Sequence, residues 1–92
     1  MDRDIDPYTV ENGYILALTR RDTRRGGLIR SLTWHPTATA ARAMERALNP
    51  GLIITAGPAI VRESELTGRD AAEIARYRRA RETICSYTIP EA

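Results

Sequence analysis

Two short apolar runs, Tyr14-Ile15-Leu16-Ala17-Leu18-Thr19-Arg20 and Leu28-Ile29-Arg30-Ser31-Leu32-Thr33-Trp34, flank a polar stretch that ends in Gly26-Gly27. Runs of this length rich in β-branched and aromatic residues read as strands, and paired glycines supply the positive φ of a tight return. Ahead of them, Asn12-Gly13 follows Tyr8-Thr9-Val10-Glu11, a second hairpin signal. The expectation is a three-stranded antiparallel meander whose second hairpin carries Arg20, Arg21, Arg24 and Arg25 at its tip.

Past the meander the pattern changes period. Pro36 stops the third strand, and Thr37 or Thr39 can cap a helix over Ala40–Leu48. On that helix Ala40, Ala41, Ala43, Met44, Ala47 and Leu48 share one arc, opposite Arg42, Glu45 and Arg46. Asn49-Pro50-Gly51 ends it. Leu52–Ala56 and Ala59–Glu63 then flank Gly57-Pro58 as a hairpin or one bent strand, with Pro58 favouring an edge or a turn. Thr67-Gly68-Arg69-Asp70 has capping-box spacing and opens a second helix to about Glu82, extending to Tyr87 unless 83–89 is a strand instead. The fold class expected is α+β, a sheet of four to five strands packed by two helices, in the order β-β-β-α-β(-β)-α.

Ninety-two residues make a single domain, 1–92, with the acidic opening 1–7 as a loosely held tail. With one Trp, four Tyr and no Phe, the core has to come from Ile, Leu, Val and Met, with alanine allowing close approach. One cysteine excludes an intrachain disulfide and fits a reducing compartment, and with one histidine it leaves too few ligands for a Cys/His zinc site. Residues 1–7 show neither a basic n-region nor an apolar run, and nowhere do about 18 apolar residues follow one another. A cytoplasmic location, no membrane contact and no cofactor are the expectations.

All fourteen basic residues are arginine. A GC-rich coding sequence explains that total, and the thirteen alanines, better than it explains the clustering of Arg20–Arg25 and Arg76–Arg81. A guanidinium is a planar fork that grips carboxylates and phosphates bidentately, so contact is the chemistry these clusters suit. A helical wheel of the last helix puts Arg81 amid Leu66, Ile74, Tyr77, Ile84 and Cys85, where it must snorkel, pair or wait for a partner, with Arg78 at the edge. Arg69, Arg76 and Arg79 share another face with Ala72 and Thr83. The candidate partner-binding set is therefore Arg20, Arg21, Arg24, Arg25, Arg30, Arg69, Arg76, Arg78, Arg79 and Trp34, the last packing on the first helix and partly exposed as an anchor. No catalytic residue is assigned: His35 has no identifiable nucleophile and orienting acid, and Glu63 and Glu65, alternating at a strand end, form only the outline of a carboxylate pair.

The layout from Tyr14 to Leu48, a hairpin followed by a Thr-capped alanine-rich helix, resembles two families. One is the sheet-plus-helix arm-binding module of tyrosine recombinases, which lays its sheet in the DNA major groove and would need arginines such as Arg30 on an exposed sheet face. The other is the small phage-encoded anti-CRISPR proteins, which occupy a surface of a bacterial CRISPR effector complex. The latter resemblance implies a non-catalytic inhibitor that binds a host ribonucleoprotein stoichiometrically. The alternative is a nucleic-acid-binding module with arginines on phosphates, and a homodimer is compatible with either.

Overall fold

The computed structural model describes residues 10–90, so the acidic tail 1–7 lies outside them. Four strands and two helices follow one another as β1 (Tyr14–Arg21), β2 (Leu28–His35), α1 (Ala38–Arg46), β3 (Ile54–Arg62), a short 3-10 turn (Glu63–Glu65), α2 (Gly68–Arg79) and β4 (Ile84–Ile89). The sheet is antiparallel throughout, in the order β3-β1-β2-β4. It is an α+β domain.

Central β1 is buried from Ile15 to Thr19, on both faces. Side chains alternate along a strand, so the two faces take different partners. Ile15 and Ala17, with Leu32 and Trp34 of β2, join Cys85 of β4 and Ile74 of α2 in one core, flanked by Val61, Leu66 and Tyr77. Leu16 and Leu18 turn the other way, toward α1 and its fully buried Ala41. Two helices on opposite faces of a four-stranded sheet make three layers. The buried arc of α1 is narrower than its sequence suggests, for Ala43 and Ala47 are exposed.

Several sequence expectations are corrected. Val10 and Glu11 are not in a strand, and Tyr8 and Thr9 lie outside the described residues. Gly13 is not a positive-φ turn residue: a Cβ there would collide with the Trp34 indole, so glycine is required by close approach. The segment 52–63 holds one strand, Ile54–Arg62, and not a hairpin, and Pro58 takes the edge position of its two expected places. Thr67 makes no side-chain cap bond, and the Asp70 carboxylate bonds Arg30 and Tyr87 instead of closing a capping box. α2 stops at Arg79, Arg81 takes left-handed geometry (φ 61°), and 84–89 is a strand. The wheel that carried Arg81, Ile84 and Cys85 on one helix therefore does not exist; Ile84 is 65% exposed and Cys85 buried.

Candidate functional site

The β1–β2 hairpin gathers Arg20, Arg21, Arg24 and Arg25 in and beside one turn. Its closure is local: Asp22 N–H donates to the Gly27 carbonyl (3.0 Å), and Gly26 N–H to the Asp22 carbonyl (2.9 Å). Both glycines have φ near +80° (78° and 82°), the left-handed region in which a Cβ is costly. Asp22 fixes the turn from within, its Oδ1 accepting the backbone N–H groups of Arg24 (3.0 Å) and Arg25 (3.2 Å). Those two N–H donors, with the Arg25 and Arg20 charges adding, hold the Asp22 carboxyl below the usual carboxylate value. The carboxylate thus spends its hydrogen bonds on main chain, and the exposed Arg24 and Arg25 side chains make no hydrogen bond or ion pair with any described residue. Nothing lies within 4 Å of where a Cβ on Gly26 or Gly27 would sit, so this backbone is open to a ligand. Arg21 is exposed and Arg20 half-buried at the root of the same hairpin.

The other arginines of the sequence-based set divide. Arg30 faces α2, not an open sheet surface: Nη2 and Nε reach Asp70 Oδ2 (2.9 and 3.2 Å), and Nη1 donates to Thr19 Oγ1 (3.1 Å). Tyr87 donates to Asp70 Oδ1 at 2.6 Å. Burial alone would raise the Asp70 carboxyl, but the hydrogen bonds from Arg30 and Tyr87 together prevail and lower it. Tyr87 itself is pushed up to about 12, by burial and by its bond to Asp70. This arrangement removes the exposed arginine-bearing sheet face that a recombinase-like docking would need.

Trp34 is not where the sequence pattern puts it. It is 3% exposed and packs in the α2-side core, so it is no surface anchor and does not pack on α1. Its Nε1 donates to Glu63 Oε1 at 2.8 Å, the same oxygen that accepts Gly13 N–H. Arg78 stacks on the indole (3.8 Å to the ring centroid), approaches Glu63 Oε2 (3.6 Å) and donates to the Val10 carbonyl (2.6 Å). Arg78 is thereby committed to the fold. Glu65 accepts from Arg62 N–H instead, so Glu63 and Glu65 do separate structural work and form no carboxylate pair.

Arg69 and Arg76 share Glu73, at 3.2 and 2.7 Å, and Arg79 is exposed beside them. The structure therefore brings Arg20, Arg21, Arg24 and Arg25 together at one hairpin and Arg69, Arg76 and Arg79 together on α2. It joins neither group to Arg30, Arg78 or Trp34. Sequence reasoning missed Asp22 as organiser of the tip, although an Asp two and three residues before its N–H partners is a known turn signal.

Among the described residues no three His, Cys, Asp or Glu side chains gather as a metal ion would require, and no helix is long and apolar enough to cross a membrane. His35 Nε2 lies 2.8 Å from Thr33 Oγ1, and burial lowers its pKa. Burial likewise pushes the Cys85 thiol up to about 11, the unreactive direction. In comparisons with known proteins, the chain matches no family model, no curated protein and no solved structure.

Proposed function

We propose that this protein is a non-catalytic interaction module that grips the phosphate backbone of a nucleic acid with its arginine-tipped β1–β2 hairpin. The observation that carries this reading is the Asp22-braced turn, which leaves Arg24 and Arg25 unengaged beside the bare backbone of Gly26-Gly27. The Asp22 brace fixes the main chain of the turn, so binding has only side-chain freedom left to remove, and phosphate is the natural bidentate acceptor of a guanidinium. A cytoplasmic inhibitor of a CRISPR effector would use the same contact, with the guide or target strand as the phosphate source.

The test is an anisotropy titration of labelled double- and single-stranded DNA and RNA at several salt concentrations. Engagement of three or four phosphates on duplex gives a log K against log salt slope of about −3. Arg24→Glu with Arg25→Glu should abolish binding with an unchanged circular dichroism spectrum. Absence of binding at low salt, or binding that the double variant retains, overturns the assignment.

A further inference from the structure

The two edges of the sheet differ. β3 is interrupted by two register shifts against β1 and by Pro58, which has no N–H to offer. β4 pairs with β2 over six consecutive residues without a shift, and Ile84–Ile89 contains no charge, glycine or proline. Trp34 N–H donates to the Thr83 carbonyl at 2.7 Å, and an antiparallel ladder bonds at every second residue, so Thr83, Cys85, Tyr87 and Ile89 turn their backbone groups to β2. Ile84, Ser86 and Thr88 therefore turn N–H and C=O outward. All three are exposed, and no strand among the described residues lies beyond them.

One flank of α2 runs above this edge. The Arg69 guanidinium sits 4.2 Å from the Tyr87 ring centroid, and the charges of Glu73, Arg76, Asp70 and Arg69 all act on the Cys85 thiol, Asp70 being already paired with Arg30. Arg69 and Arg76 remain 56% and 65% exposed while sharing the single Glu73 carboxylate, so the flank stays positive.

We propose that the β4 edge takes up an extended segment of a partner protein as a fifth strand, with acidic side chains at alternate positions. Main-chain bonds to Ile84, Ser86 and Thr88 would hold the strand, as in other strand additions. Incoming residues opposite Tyr87 and Cys85 project toward α2, under Arg69 and Arg76, and these are the acidic ones. Incoming residues opposite Ile84, Ser86 and Thr88 project to the other face, where exposed Ile84 favours an apolar contact. A second copy of β4 does not fit this description: it carries no acid, and two-fold pairing would set Arg69 and Arg76 against the same arginines of the other copy.

The probe is a labelled, end-blocked octapeptide of alternating glutamate and valine, compared with its lysine–valine counterpart by anisotropy. The acidic peptide should bind at least about tenfold more tightly. On binding, the Ile84, Ser86 and Thr88 amides should gain hydrogen-exchange protection, while the β2-bonded Cys85 and Tyr87 amides change little. Ser86→Pro removes one outward donor without touching the β2 ladder and should weaken binding by about tenfold. Arg76→Glu, which leaves the backbone alone, should shift preference toward the lysine peptide. The Arg24→Glu, Arg25→Glu variant should bind the acidic peptide as the parent does, which separates this edge from the hairpin tip. Equal binding of the two peptides, undiminished binding by Ser86→Pro, or loss in the tip variant overturns the proposal, as does a dimer in sedimentation that Ser86→Pro dissolves.

Discussion

Arg30 and Asp70, forty residues apart, meet side-on across the interface between β2 and α2, two guanidinium nitrogens on one carboxylate. Each side chain keeps only about a fifth of its surface in water (22% and 18%). Removing one partner strands the other. Asp70→Ala should therefore destabilise the domain by about 2–3 kcal/mol, below the range for fully buried pairs, and Arg30→Met with Asp70→Leu should cost less than Asp70→Ala alone. Urea denaturation monitored by Trp34 fluorescence decides both.

The same cluster sets two pH limits. Asp70 has a folded pKa below its unfolded value, so its contribution is complete above the ordinary carboxylate range and is lost as pH falls through the folded value. Tyr87 has a raised pKa, so its contribution is complete below its ordinary value near 10 and disappears as pH rises toward about 12. Thermal melts across pH should fall off at both ends. Tyr87→Phe should remove the alkaline loss while keeping the acid one.

Gly13→Ala should cost about 1–3 kcal/mol, the range for overpacking a core, because the new methyl collides with the buried Trp34 ring. Gly26→Ala meets nothing, so its cost is the left-handed backbone alone, about 1–2 kcal/mol. Trp34→Leu removes a core side chain and so costs stability in either background, but it should cost less in the Gly13→Ala background, where it also relieves the clash, than in the Gly26→Ala background.

Asp22→Asn keeps an oxygen in place to accept the Arg24 and Arg25 N–H groups while removing one negative charge from the tip. Affinity for duplex DNA at low salt should rise, and the gain should shrink as salt screens it. Asp22→Ala, which loses the brace as well, should gain less.

Much of this architecture is legible in the chain. Gly26-Gly27 marks the hairpin, Thr37 caps α1 through its contact with Ala40 N–H at 3.1 Å, and Pro58 marks an edge. What is hidden depends on partners far along the sequence. Gly13 looks like a turn glycine until Trp34 occupies the space beside it. Asp70 looks like a cap until Arg30 and Tyr87 claim its oxygens, and the break before β4 falls on Arg81, where a glycine would have been the usual signal. For the site, clustering identifies the tip arginines, but only the tertiary contacts separate them from Arg30 and Arg78, which the fold consumes.

Among the described residues β1 is the first strand and the most enclosed, with neighbours on both edges and helices over both faces. Its hairpin with β2 can form early, since the pairing residues are close in sequence. The remaining cover arrives late: β3 starts at Ile54, and α2 and β4 follow from Gly68 onward. During synthesis α1 is the first to cover the Leu16 and Leu18 face, while the Ile15 and Ala17 face waits for α2, which begins only at Gly68. In that interval an exposed apolar strand is most open to chaperones and to aggregation, and Arg20 and Arg21 at its end are the kind of charged residue that disfavours strand-to-strand stacking.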